Sequence, residues 1–182
     1  MKNEKFILTE IKIVVKGITL YQIKSLIAFG DVKRHERGGF IEKEANLCFS
    51  NNCWVYDHAK VFGNAKISED SQVRSHAMVF GDAEVSGNAE VSGNAEVSGN
   101  AKVGSDAMVG GNATIRDNAV ISGDAKVIWN ATIRDNAVIA GDAVIVGYAQ
   151  ISGDISVSGT AKISGTIVVK GTARFSGNAE IN

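Results

Sequence analysis

From Asn51 to Asn182 the chain repeats one pattern every six residues, plainest in the run GDAEVS GNAEVS GNAEVS GN from Gly81 to Asn100. The fifth position of the unit is Val or Ile in every copy except at Phe175, and the third is Ala except at Cys53, Ser71, Ile155 and Ile167. Side chains two apart on a strand point the same way, so positions three and five share an apolar face while four and six face outward. Position one is mostly Gly and position two mostly Asn or Asp, residues that accept a left-handed backbone at least cost, which predicts a turn in every unit. The phase runs to the last residue without an insertion or deletion, the signature of a repeat architecture.

Two architectures could carry such a unit. In a meander of hairpins with two-residue turns, position six of one strand would pair with position three of the next, and the Ala/Val face would change sides at every strand. The turn order Gly-Asn also reverses the Asn-Gly that hairpins favour. A coil of three hexads per turn instead keeps every third and fifth residue inside a triangular prism. The pattern therefore predicts a β-helix of about 7 coils over residues 45–182.

Written from its aliphatic residue the unit is V-S-G-N-A-E, which resembles the hexapeptide repeat of the bacterial transferase hexapeptide proteins. That resemblance implies a left-handed parallel β-helix. The segment LYQIKSLIAFGDVKRHERGGFIEKEANL, Leu20 to Leu47, together with the G-N-A-x-V repeat, resembles the YdcK-like branch, which carries a putative-transferase label in some members and is frequent in bacterial and phage genomes. The family contains both enzymes and inert scaffolds, so the resemblance speaks for fold more than for activity.

Residues 1–44 lie outside the repeat. Ile11, Ile13 and Val15 alternate with polar residues, Tyr21, Ile23 and Ser25 do so less cleanly, and Lys16-Gly17 between them predicts a small hairpin. The first coil of a β-helix has unpaired backbone groups and an open apolar end, so the segment is expected to be a cap. Leu47 and Phe49 read as positions three and five of an imperfect first hexad, Ala45 to Ser50. No comparable segment follows the repeat in this sequence, so the last coil is expected either to tolerate solvent or to be covered by a second molecule.

With 45% hydrophobic residues, a net charge of −1 and a pI near 6.3, the chain gives no electrostatic case for nucleic acid. The absence of a long apolar run or secretory signal predicts a soluble cytoplasmic protein. Cys48 at an outward position and Cys53 at an inward one should diverge and stay reduced, and without ligand spacing to the histidines they predict no metal site.

Function must be read from the outward residues. The prism sides beginning at Asn51, Asp57 and Gly63 are called sides A, B and C. Ser, Lys and Glu are the commonest outward residues, but Val120, Val138 and Ala140 on side C and Ile128, Val144 and Val146 on side A are apolar, with Trp129 and Tyr148 at the next corner. These are expected to form one contact patch. The predicted function is a non-enzymatic scaffold that self-associates as a dimer or trimer or binds another protein, without cofactor.

The alternative implied by the resemblance is an acyltransferase using acetyl-CoA and a histidine base. His58 and His76, one coil apart at position two on side B, are the weak catalytic candidates, and the reading of them as tolerated left-handed turn residues stands against that. No extruded loop of the kind such enzymes use for the acceptor interrupts the repeat. Arg116, Arg134 and Lys170 share a column on side B as a candidate anion-binding row, with Phe62 and Phe80 nearer the cap.

Overall fold

The computed structural model describes residues 3–182. From Trp54 onward most hexads contribute a two-residue strand made of their fourth and fifth residues, as in Glu96–Val97. Each pairs in parallel with the equivalent residues one coil away: Glu96 with Met78 on one side and Thr114 on the other. Side A is an 8-stranded sheet. Sides B and C are joined in a 15-stranded sheet, because Gln150–Val157 and Val168–Phe175 run as continuous strands around a corner. The result is a left-handed parallel β-helix.

The inward columns are as the pattern predicts. Third and fifth residues from Ala59 to Ile163 are 0–1% exposed, and each buried Val or Ile is worth roughly 1.5–3 kcal/mol relative to exposure. Ser71, a polar residue in an alanine column, donates its hydroxyl to the carbonyls of Ser68 and Val85 and so stays buried without an unmet hydrogen bond. Ile167, Val169, Phe175 and Ile181 in the last coil are only partly covered.

The corners depart from expectation. Positive φ falls on position one of every hexad, from Asn51 at 58° to Gly177 at 63°, and on no residue at position two. The Asn and Asp side chains at position two serve a different purpose: they hydrogen-bond from coil to coil. Asn94 donates to Asn112 and Asn112 to Asn130, each at 3.0 Å. A second ladder runs Asn100, Asn118, Asn136, Asp154. The left-handed explanation for His58 and His76 is therefore corrected, since Asp57 and Ser75 before them take the positive φ.

At the N-terminus, strands β1 (Phe6–Val15) and β2 (Ile18–Ser25) form the expected hairpin, with positive φ at both Lys16 and Gly17. Strand β3 (Arg37–Ile41) pairs antiparallel with β2 and parallel with Lys60–Val61. The hairpin thus prolongs side B, satisfying the edge of its first coil with backbone hydrogen bonds. Phe6 and Phe29 pack edge-on against Trp54 where the cap meets the first coil. Outside the sheet, Leu20, Phe40 and Phe62 form a second small core, and Phe62 and Phe80 stack with centroids 5.0 Å apart.

The register at this joint also differs from the reading above. The parallel ladder starts at Phe40–Ile41, and Leu47, not Phe49, pairs with Ile67, a fifth-position residue. Phe49 and Ser50 are therefore extra residues bulging from the first coil, and Phe49 is exposed at 37%. Asn46, buried beside the bulge, donates to the carbonyls of Gly63 and Ala65 where a regular strand would have continued. No helix among the described residues is long and apolar enough to cross a membrane.

Candidate interaction surface and histidine corner

The apolar outward residues lie on two sides of the prism. Val120 stacks directly on Val138 in the side C ladder, whereas Val144 belongs to the 8-stranded sheet of side A, beyond the corner at Gly141. One flat partner cannot lie on both sides at once. On side A, Val144 stands between Lys126 and Lys162, so the continuous apolar part is the next column, Ile128 and Val146, and the corner beyond it. Ile128 and Val146 are half-buried; Trp129 and Tyr148 at that corner are 62% and 60% exposed.

Trp129 is unusual on backbone grounds. It occupies position one with φ of 70°, a region that costs a bulky side chain on the order of 1–2 kcal/mol. The corner closes around it with glycine: a Cβ on Gly111, one coil below, would lie 2.7 Å from the Trp129 nitrogen. Seven residues from Ser105 to Asp117 and Gly123 to Gly147 show what the position ordinarily takes, namely Gly, Ser or Asp. An exposed tryptophan held there gains little from the fold itself.

His58 and His76 do come together, their rings stacked with centroids 5.1 Å apart and both exposed. They line an open cleft with Gln22, Arg37, Gly38, Asp57 and Ser75, between the cap and the corner. Asp57 already accepts a hydrogen bond from the Ser75 backbone at 3.2 Å, which ties it to the corner. His35 sits apart, in the exposed loop before β3, with φ of 67°.

The anion row is broken. Arg116 and Arg134 are on adjacent coils, but buried Ser152 separates them from Lys170. Both guanidinium groups lean toward neighbouring carboxylates, Arg116 to Asp117 at 3.4 Å and Arg134 to Asp135 at 3.9 Å. Asp117 and Asp135 also accept from backbone nitrogens of the coil above.

Two clusters at the cap had no signal in the repeat. The loop before β3 folds over side A: Asp31 accepts a hydrogen bond from the Tyr56 hydroxyl and pairs with Arg74 at 3.3 Å, while Arg74 lies over the Tyr56 ring. The Tyr56 hydroxyl holds the Asp31 carboxyl below its ordinary range, assisted by Arg74. Burial, then Asp31, pushes the tyrosine up. Beneath this loop Trp54, outward by position, is fully buried. The second cluster joins Lys5 to both cysteines. Cys48 and Cys53 converge on the Ser50 carbonyl, correcting the expectation that they diverge; the bulge at Phe49-Ser50 turns Cys48 back toward its neighbour.

No family model matches the chain. Among curated proteins, the chain is similar to one described as "Uncharacterized acetyltransferase YdcK" from Escherichia coli (strain K12), at 43% identity over 54 residues. That segment is 29% of this chain and 17% of the length of the relative. A prism of stacked hexads together with this likeness fits the hexapeptide-repeat transferases.

Proposed function

We propose that the protein is a rigid β-helical scaffold that binds through side A, with Trp129 and Tyr148 anchoring the contact and a second copy of the chain as the partner. The observation that carries this reading is Trp129, an exposed aromatic kept in a backbone conformation that disfavours it. Ile128 and Val146 extend an apolar strip from its corner, and aromatic anchors beside aliphatic ground are the usual composition of an interface centre. The test separates folding from binding. Trp129→Gly should raise the melting temperature by roughly 2–4 °C, as backbone strain is relieved, and should weaken self-association. A lower melting temperature with an unchanged assembly would contradict the reading.

A second reading, an acyltransferase acting at the histidine corner, is favoured by the description of the relative as an acetyltransferase and by the stacked His58 and His76 beside Arg37. Replacing both histidines with Asn, which fills the same column at Asn94, should leave the fold intact. Under the scaffold reading, acetyl-CoA gives no saturable thermal stabilisation of the wild type; stabilisation that disappears in the double variant would establish the transferase instead.

A further inference from the structure

The cluster at the cap joint combines groups that neither reading uses. Lys5 is 2% exposed, yet its ammonium reaches into the bulge of the first coil, donating to the Asn51 carbonyl at 3.0 Å, the Cys53 carbonyl at 2.8 Å and the Cys53 sulfur at 3.4 Å. Its stem end lies over the Phe29 ring, with Nζ 4.4 Å from the centroid, so the cation is walled off from water on that side. Cys53 is fully buried and Cys48 half-buried, and both thiols lie near one acceptor, the Ser50 carbonyl, at 3.8 Å and 2.9 Å. Cys53 Sγ is also 3.5 Å from the Cys48 carbonyl.

A half-exposed thiol, a buried thiol beside it and a buried cation behind both is an arrangement suited to two-step thiol oxidation. We propose that Cys48 and Cys53 form an oxidisable dithiol that takes hydroperoxides as its substrate class, Cys48 reacting first and Cys53 resolving it. The Cys48 sulfur attacks the peroxide, an S–O bond forms as the O–O bond breaks, and the departing oxygen takes up a proton as water or alcohol. The Cys53 sulfur then attacks the Cys48 sulfur, an S–S bond forms, the S–O bond breaks and water leaves. Two thiols lose two electrons and two protons, and the peroxide is reduced.

The electrostatics support that order. A hydrogen bond from Cys53, and then the Lys5 charge, hold the Cys48 thiol below its ordinary value, which favours the nucleophilic thiolate. The same bond and burial raise Cys53, so it remains the protonated reserve until Cys48 has reacted. The extra residues Phe49 and Ser50 supply the slack that lets side chains five positions apart meet, which an uninterrupted hexad would not.

The full chain treated with hydrogen peroxide and then with iodoacetamide should show an intact mass lower by about 2 Da with neither cysteine alkylated, and dithiothreitol should restore both thiols. Cys53→Ser should stop at a sulfenic acid on Cys48 that dimedone traps. Cys48→Ser should leave Cys53 unoxidised under the same exposure. Lys5→Met should slow the first step several-fold where it folds, and the two cysteine variants decide the matter where it does not. Two freely alkylated thiols in treated wild type, a disulfide linking two chains, or oxidation of Cys48→Ser as fast as wild type would each overturn the proposal.

Discussion

Val97→Asp is expected to be the most damaging single substitution in the middle of the helix. Val97 is fully buried and pairs in parallel with Val79 and Ile115, so its stacked neighbours are apolar and offer a carboxylate no side-chain partner. The variant loses the burial of the valine, roughly 1.5–3 kcal/mol, and adds the cost of an unpaired charge or of its protonation. A fall in melting temperature of roughly 10–20 °C follows for a chain of this size. Each coil touches only its neighbours, so protection against hydrogen exchange should be lost first in the coils around Val97. Glu96→Ala, one residue earlier and outward, should change the melting temperature little. Equal sensitivity at the two positions would contradict the inside/outside assignment.

Gly39→Ala should act as strongly on the cap. Gly39 lies in β3 at the joint between hairpin and helix, and a Cβ there would sit 2.5 Å from the Ala59 carbonyl oxygen, 2.8 Å from Val55 Cγ1 and 2.9 Å from the Tyr56 carbonyl oxygen. Two of those atoms are backbone, and both already accept hydrogen bonds, Ala59 from Phe40 and Tyr56 from Ala59, so neither can retreat freely. Overpacking of this kind costs on the order of 1–3 kcal/mol. Its effect should be local, releasing β3 and with it the hairpin. Hydrogen exchange of the β2 and β3 amides should rise well before that of the side A ladder. Gly17→Ala, with open space around its Cβ and only a positive φ of 80° to resist it, should cost less. Unchanged exchange in β3 would contradict the packing argument.

The helix was legible in the sequence because its unit recurs without interruption. Inward Ala and Val, outward Ser and Glu, and a turn every six residues each follow from one hexad, and the structure repeats them from Ala59 to Ile163. What one hexad cannot show is which of two turn residues carries the strain. Gly and Asn are both permissive, and only the coil-to-coil hydrogen bonds of Asn94, Asn112 and Asn130 explain why position two prefers an amide.

The joint was harder to read for a different reason. Leu47 and Phe49 are both apolar and two apart, so either register satisfies the pattern. The choice is made by tertiary contacts: Leu47 fits below Ile67, and Phe6 packs against Phe49 and Trp54 where the cap meets the first coil. The same bulge brings Cys48 to Cys53. Of the surface residues, the 18-residue column placed Phe62 on Phe80 and His58 on His76. It also placed Val120 and Val138 on side C and Val144 on side A, and the structure adds that the corner between those sides divides the apolar residues instead of joining them in one patch.

The central claim is that side A is a contact surface, and the solution mass of the protein tests it most directly. Light scattering coupled to size exclusion, at tens of micromolar, should give at least twice the mass of the 19.2 kDa chain for the wild type. Val144→Lys adds a third lysine to the column of Lys126 and Lys162, and it should return the mass to that of one chain while circular dichroism remains that of β structure, because position four points outward. A wild type that elutes as a single chain, or a Val144→Lys variant with the wild-type mass, would contradict the claim.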